Sequence, residues 1–215
     1  MKVQYYARIV IAVSVPLLCL TLTFSQTTSK NDPVAKEFKR LVALQAALKE
    51  IPYDDYDKEP HKSFLKRNEN ETNYSDPSAE YYVRSELFWD LYEKNRAHPI
   101  AEQIAWTAAK NPLPGECEGY LNCYLYVLNA TWGKYLSVFP KGRYSLDALN
   151  LLGQALSPMV GDRVKRAVYG GPTDASDRAE LQKLLAELEA TVSKTSGTRG
   201  AKVRGQVKLL REAHR

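Results

Sequence analysis

Along this chain, apolar residues recur three and four positions apart far more often than they alternate, a period that predicts helices. Between positions 31 and 51, Val34, Phe38, Leu41, Val42, Leu48 and Ile51 form one stripe. Asn31, Asp32 and Pro33 supply a cap and a first-turn proline, and Pro52 ends the run. From Tyr53 to about Ser75 the period is lost and polar residues dominate, which predicts a linker. Asp76 and Pro77 repeat the cap-and-proline device, opening a helix that runs through Ser85 to Tyr92. His98-Pro99 then turns the chain into a second helix, Ile100 to Lys110, carrying Ile104, Ala105, Trp106 and Ala108.

Asn111 to Gly115 is a loop by composition. Tyr120 to Val138 predicts a third helix on Leu121, Leu125, Leu128, Trp132 and Leu136. Phe139-Pro140-Lys141-Gly142 turns the chain into a fourth, Ser145 to Leu156, on Leu146, Ala148, Leu149, Leu152 and Ala155. After Ser157-Pro158 the pattern thins to one short helix around Asp162–Tyr169. Asp177 and Glu180 have the spacing of a capping box ahead of a stripe of Leu181, Leu184, Leu185, Leu188 and Val192. Thr195 to Gly200 is a flexible break, and Val203, Val207 and Leu210 against Arg204, Lys208 and Arg211 form a last amphipathic segment. The expected fold class is all-α: tandem helical hairpins with flanking amphipathic helices.

The N-terminus carries a different signal. Lys2 and Arg8 precede an apolar run from Ile9 to Phe24, followed by Ser25-Gln26-Thr27-Thr28-Ser29. That charged, apolar, then small-residue order is that of a secretory signal peptide, and cleavage after Ser25 would put Thr23 and Ser25 ahead of the cut. The run falls short of the roughly 20 apolar residues of a membrane span. A retained N-terminal anchor is the alternative. Lipidation at Cys19 would need a small residue just before it, where Leu18 stands. The segments expected are a signal peptide over 1–25, an N-terminal helix over 26–52 and an acidic linker over 53–78. Helical hairpins follow over 79–157, then a C-terminal helical extension over 158–193 and a basic tail over 194–215.

Cleavage lowers the formal net charge from +5 to +3 and leaves two cysteines, Cys117 and Cys123. In an oxidising compartment such a pair is expected to form a disulfide. Six residues of α-helix rise about 9 Å, beyond the roughly 7 Å between Cα atoms that a disulfide bridges. Cys117 therefore belongs to a loop, with a helix starting near Gly119 and Tyr120. Zinc is the competing use of the pair, but a structural site wants four ligands and no second Cys or His pair is present. No cofactor or metal is expected.

Charge is unevenly placed. Tyr53 to Glu80 holds eight acids against four bases, and Lys194 to Arg215 seven bases against one acid, Glu212. The tail is read first as a solvated charged face, with weak contact to an anionic surface as its functional alternative. Export argues against nucleic acid.

Tyr92 and Tyr135 each close a first helix, each precede a proline turn at Pro99 or Pro140, and each lead to an Ala-rich second helix; they stand 43 residues apart. Self-similar helix pairs at a fixed offset mark a helical repeat. Phe139-Pro140, Gly142, Tyr144, Ala148-Leu149 and Leu152-Gly153 lie within the stretch Tyr135 to Gly153. This stretch resembles the tetratricopeptide-like repeats of bacterial envelope proteins, such as outer-membrane-assembly lipoproteins and the Tol-Pal-associated coordinator of cell-wall synthesis. The resemblance covers about residues 79–156. It departs from the family in its offset, since the usual repeat is about 34 residues, and in lacking the first-helix Trp-Leu-Gly-Tyr signature in order. It implies a surface that holds a partner protein or peptide.

Catalytic candidates are sparse. His98 and Glu102, four apart, could share a helical face, and Glu116 with Glu118 could act as paired carboxylates. Their plainer reading is a turn histidine, a first-turn glutamate suited to the helix dipole and two solvated loop acids. The chain has no Gly-x-Ser-x-Gly, His-Glu-x-x-His or phosphate loop. Tyr81, Tyr82, Phe88, Trp89, Trp106, Tyr124, Tyr126 and Trp132 either pack the hairpin core or line a groove, and core packing is the expectation for the tryptophans. The sequons at Asn70, Asn73 and Asn129 matter only where export is through a glycosylating pathway, which the bacterial-looking repeat argues against. The expectation is an exported, non-enzymatic helical-repeat adaptor that binds another envelope protein. The alternatives are an exported cell-wall-acting enzyme and an envelope protein tethered by an uncleaved N-terminal helix. The sequence names neither the partner nor an oligomeric state.

Overall fold

Helix α1, Pro33–Lys49, starts where Asp32 turns its carboxylate onto the amides of Val34 and Ala35, at 3.0 and 3.2 Å. These are donors a helix start leaves unpaired, and Pro33 has none to lose. The computed structural model of the chain describes residues 32–76, 78–161 and 169–214. The expected signal peptide with Cys19, Asn31, Pro77 and most of the short helix around Asp162–Tyr169 lie outside these residues.

The architecture is predominantly helical, with one two-stranded sheet. After α1 comes a 3-10 turn, Tyr53–Asp55, then α2, His61–Arg67, and an antiparallel hairpin of β1, Thr72–Ser75, and β2, Glu80–Val83. Next are α3, Ser85–Lys94, and α4, Ala101–Lys110. Helix α5, Leu121–Leu128, runs through a π-turn, Asn129–Gly133, into α6, Lys134–Val138. Then come α7, Ser145–Met159, α8, Ala175–Ser193, and α9, Gly197–Ala213. Among the described residues no helix is long and apolar enough to cross a membrane.

One apolar cluster runs through the whole assembly, from Phe38 and Leu48 of α1 through Phe88, Ile104, Leu125 and Tyr135 to Leu152, Leu185 and Val207. In α1 the buried stripe is Phe38, Leu41, Leu44 and Leu48; Val42, expected in it, is 41% exposed. Leu44 completes a spacing of three and four that Val42 breaks.

The expected linker is folded. Its polar residues form the 3-10 turn, α2 and β1, and the Arg40 guanidinium clamps the carboxylate of Glu71 just before β1 at 2.8 and 2.6 Å. The chain from 80 to 83 is strand rather than the start of a helix, and Asp76 lies in the hairpin turn, where its carbonyl accepts from the Ala79 amide. Gln45 on α1 holds this hairpin in place. Its amide oxygen accepts from the Val83 amide at 2.8 Å and from the Asn111 side chain, which also donates to the Val83 carbonyl at 2.8 Å. A four-residue strand pair is marginal alone, and this tertiary pairing supplies what local pattern lacks.

The two turns expected to echo each other share a backbone. His98 donates to the Asn95 carbonyl and Ala101 to that of His98; likewise Gly142 donates to Phe139 and Ser145 to Gly142. Ile100 and Tyr144, which precede α4 and α7, match in φ and ψ, at −99° and 10° against −102° and 10°. Asn95 thus corresponds to Phe139 and Ile100 to Tyr144, a register one residue longer than the spacing of Tyr92 and Tyr135. The extra residue falls between Tyr135 and Phe139, past the π-turn, where Gly133 is required because a Cβ would sit 2.8 Å from the Leu128 carbonyl oxygen. A π-turn adds one residue to a helix and turns its face.

Two further expectations shift. The cap of α8 is Asp174, which accepts from the Asp177 amide at 2.9 Å while Asp177 accepts from Thr173, so the reciprocal pair sits upstream of Asp177–Glu180. The flexible break and basic tail are instead a short turn and α9. There Val203, Val207 and Leu210 are buried against α7 and α8, and Arg204 donates to the carbonyls of Val192 and Thr195 that end α8.

Candidate functional site

Cys117 and Cys123 form a disulfide with Cα atoms 5.3 Å apart. Cys117 is in the loop and the helix begins at Leu121, as the rise of a helix requires. Gly115 and Gly119 take φ of 91° and 83°, open to glycine, and Glu118 takes φ 44° between the cysteines. The bridged loop is tied down from outside, where Leu121 donates to the Gly170 carbonyl and Gly170 to that of Gly119.

The structure sends the acid–base candidates to different partners. His98 Nε2 lies 2.8 Å from Asp32 Oδ2, at the start of α1. Burial opposes the Asp32 charge, but hydrogen bonds from Ala35, His98 and Val34 outweigh it and hold the carboxyl below its usual range. Glu102 accepts from the buried Tyr135 hydroxyl at 2.7 Å. Burial, then that bond, pushes the Tyr135 phenol far above its ordinary value. Glu116 and Glu118 are exposed on the disulfide loop. Among the described residues no group of three or more His, Cys, Asp or Glu stands close enough to hold a metal ion.

The aromatic residues divide. Phe88, Trp89, Trp106 and Tyr82 are buried, and Trp132 packs half-buried against the same core. Trp106 stacks on Tyr144, centroids 5.3 Å apart and planes 6° apart, and Lys134 Nζ lies 4.1 Å from the Trp89 ring centroid. These rings pack α3 and α4 against α6 and the start of α7 rather than line an open groove. The sequon nitrogen of Asn129 is also committed, donating to the Leu184 carbonyl at 2.9 Å.

A second aromatic set lies in the segment expected to be a linker. Tyr74 and Tyr81 face each other across the hairpin, centroids 5.0 Å apart. Tyr56, just after the 3-10 turn, sets its ring edge-on to Tyr53, Tyr74 and Tyr81 at 5.7, 6.1 and 5.0 Å. Its hydroxyl donates to the Ala79 carbonyl at 2.9 Å, pinning the hairpin turn where Ala79 takes φ 52°. Together with Asp54, Asp57 and Lys58 these rings wall a groove of about 480 Å³, with Tyr53 63% exposed at its rim. Lys58 is engaged by Asp55 at 2.9 Å, and that bond holds the Asp55 carboxyl below its usual range. Among the described residues Asp54 and Asp57 have no ion pair, while Asp76 and Glu80 add charge close to Tyr74 and Tyr56. Burial raises the phenols of Tyr56 and Tyr74, which therefore stay neutral.

A larger groove of about 630 Å³ separates α7 from the start of α9 and is lined by Asn150, Gln154 and Ser157 with Arg199 and Lys202. The tyrosine groove has the sharper chemistry, because four aromatic rings and two carboxylates line one opening. Sequence reasoning missed it because its four rings are not periodic. The available signal was the clustering of tyrosines among acids from 53 to 81.

The class these observations define is a predominantly helical domain with a small β-hairpin and a local disulfide. No protein-family model, curated protein or solved structure matches the chain.

Proposed function

We propose that the protein is an exported, non-enzymatic helical adaptor that binds a partner protein of the cell envelope through the tyrosine groove. The groove carries this reading. Its rings are held by the hairpin register and the Tyr56–Ala79 hydrogen bond, so a partner meets a surface already in shape and loses little in ordering it. Tyrosine supplies large contact area on few rotatable bonds and is enriched where proteins meet.

Export is supported by the charged, apolar and small-residue order of residues 1–29 and by the disulfide, a bond kept in oxidising compartments. Kinship with tetratricopeptide-like repeats belongs to the same proposal, supported by the shared backbone of the Asn95–Ile100 and Phe139–Tyr144 turns. The groove at Arg199 and Lys202 would add weak contact with an anionic surface.

A photo-crosslinking residue placed at Tyr53 in cells exporting the chain tests the binding surface. The reading expects a discrete adduct with one protein at Tyr53 and none at Leu146, which is 58% exposed elsewhere. Adducts at Leu146 but not Tyr53 would overturn it.

A further inference from the structure

Resting on the reading of the tyrosine groove as the binding surface, we infer that its occupant is a basic peptide segment whose arginine or lysine side chain enters between Tyr53, Tyr56, Tyr74 and Tyr81 and is met by Asp54 and Asp57. Three observations meet here. Four tyrosine rings line the groove, and a tyrosine face carries the negative lobe of its quadrupole, which attracts a cation that reaches it. Two carboxylates stand in the wall beyond salt-bridge distance of any base among the described residues, and Lys58 in the same wall, whose charge both of them feel, is hydrogen-bonded to Asp55 instead. Asp76 and Glu80 extend the negative field around the hairpin end, which steers a positively charged partner toward the opening.

A guanidinium suits the site better than an ammonium. It is planar, stacks on aromatic faces and offers donors to more than one carboxylate. The volume of about 480 Å³ accommodates a long basic side chain with its neighbouring backbone. A neutral sugar would also stack on tyrosine but would gain nothing from the charge of Asp54 and Asp57, and that difference decides the choice.

The test uses the full chain without its signal segment and three probes: a capped six-residue peptide with two arginines, the same peptide with citrulline in their place, and chitotriose. Citrulline keeps the shape and removes the charge. Binding is read from tyrosine ring signals by NMR and from titration calorimetry at low and high salt. The arginine peptide is expected to shift the Tyr53 and Tyr74 rings and to bind at least tenfold more tightly than the citrulline peptide. High salt should weaken it, and Asp54→Asn with Asp57→Asn should weaken it at least tenfold with the helical spectrum unchanged. If citrulline binds as well as arginine, or only chitotriose binds, the cationic occupant is wrong while the groove remains a binding surface. If none of the three moves the tyrosine signals, both the occupant and the groove as binding surface are overturned.

Discussion

The hydroxyl of Tyr135 stands between Glu102 and the backbone of Tyr144, donating to Glu102 Oε1 at 2.7 Å and accepting from the Tyr144 amide at 3.1 Å. One side chain on α6 thereby satisfies the first turn of α4 and the start of α7, in a place with no exposure to water. Tyr135→Phe leaves the half-buried Glu102 carboxylate and Tyr144 amide without this partner, which costs about 1 kcal/mol. Urea denaturation measures it; a midpoint equal to that of the natural chain would show that the bond is not holding α4, α6 and α7 together.

Gly142 is confined by the same junction. A Cβ there would lie 2.3 Å from Glu102 Oε1 and 2.9 Å from the Phe139 Cβ, and the latter cannot swing away. Gly142→Ala should therefore destabilise by about 1–3 kcal/mol. Gly115→Ala is a control set in open space, where only its φ of 91° resists the change. Thermal melts of the two variants should rank Gly142→Ala as the worse; the reverse order would mean that space at Gly142 is not limiting.

Replacing both cysteines, Cys117→Ser with Cys123→Ser, should cost about 2 kcal/mol, the amount expected for closing so small a ring. The Asn122 side chain still donates to the Asp177 carbonyl at 2.8 Å and Leu121 to Gly170, so α5 keeps its seat on α8. Far-UV circular dichroism should be unchanged, with faster proteolysis of the 111–119 loop. A chain unfolded without the bridge would contradict its role as a local staple.

Leu210 is 1% exposed and closes the core between α7 and α8. Leu210→Ala should lower stability by about 2–4 kcal/mol, and removal of residues 194–215 should unfold the chain. Denaturant titration of both variants checks this, and a stable truncated chain would restore the reading of this segment as a solvated tail.

Asp32 supplies the pH dependence. Its carboxyl is held below the usual carboxylate value of about 4. Such a group contributes stability that is fully present above that value and is lost as pH falls through its lower folded-state value. Acid titration of unfolding should show Asp32→Asn less stable than the natural chain near neutral pH, the two converging below pH ~4. Parallel curves down to pH ~2 would remove Asp32 from the account.

The sequence revealed much where one helix face meets one core. Leu181, Leu184, Leu185, Leu188 and Val192 fall on one face by spacing, and all are buried. Asp32 with Pro33 marked a helix start because a cap is local chemistry. What escaped was set by distant partners. Thr72 to Ser75 becomes a strand through Glu80–Val83, Gln45 and Arg40, and none of these stands beside it in the chain. Positions 194–215 looked like a tail because seven bases outnumber the apolar stripe; Lys194, Arg199, Lys202 and Lys208 are exposed while Val203, Val207 and Leu210 are buried. The disulfide was legible from the cysteine pair that an exported chain would keep, with helix rise placing Cys117 in the loop, whereas the tyrosine groove gathers rings from separate elements and was legible only as a composition bias.

The placement of α9 also bears on how the helices depend on one another. Val207 and Leu210 complete a core whose other walls, Leu152 and Leu185, come earlier in the chain. Until α9 docks, those walls face water, so α7 and α8 form a closed unit only with it. Segments far apart in the chain are thereby bound to one cooperative transition, and local opening of α9 exposes the apolar faces of both neighbours.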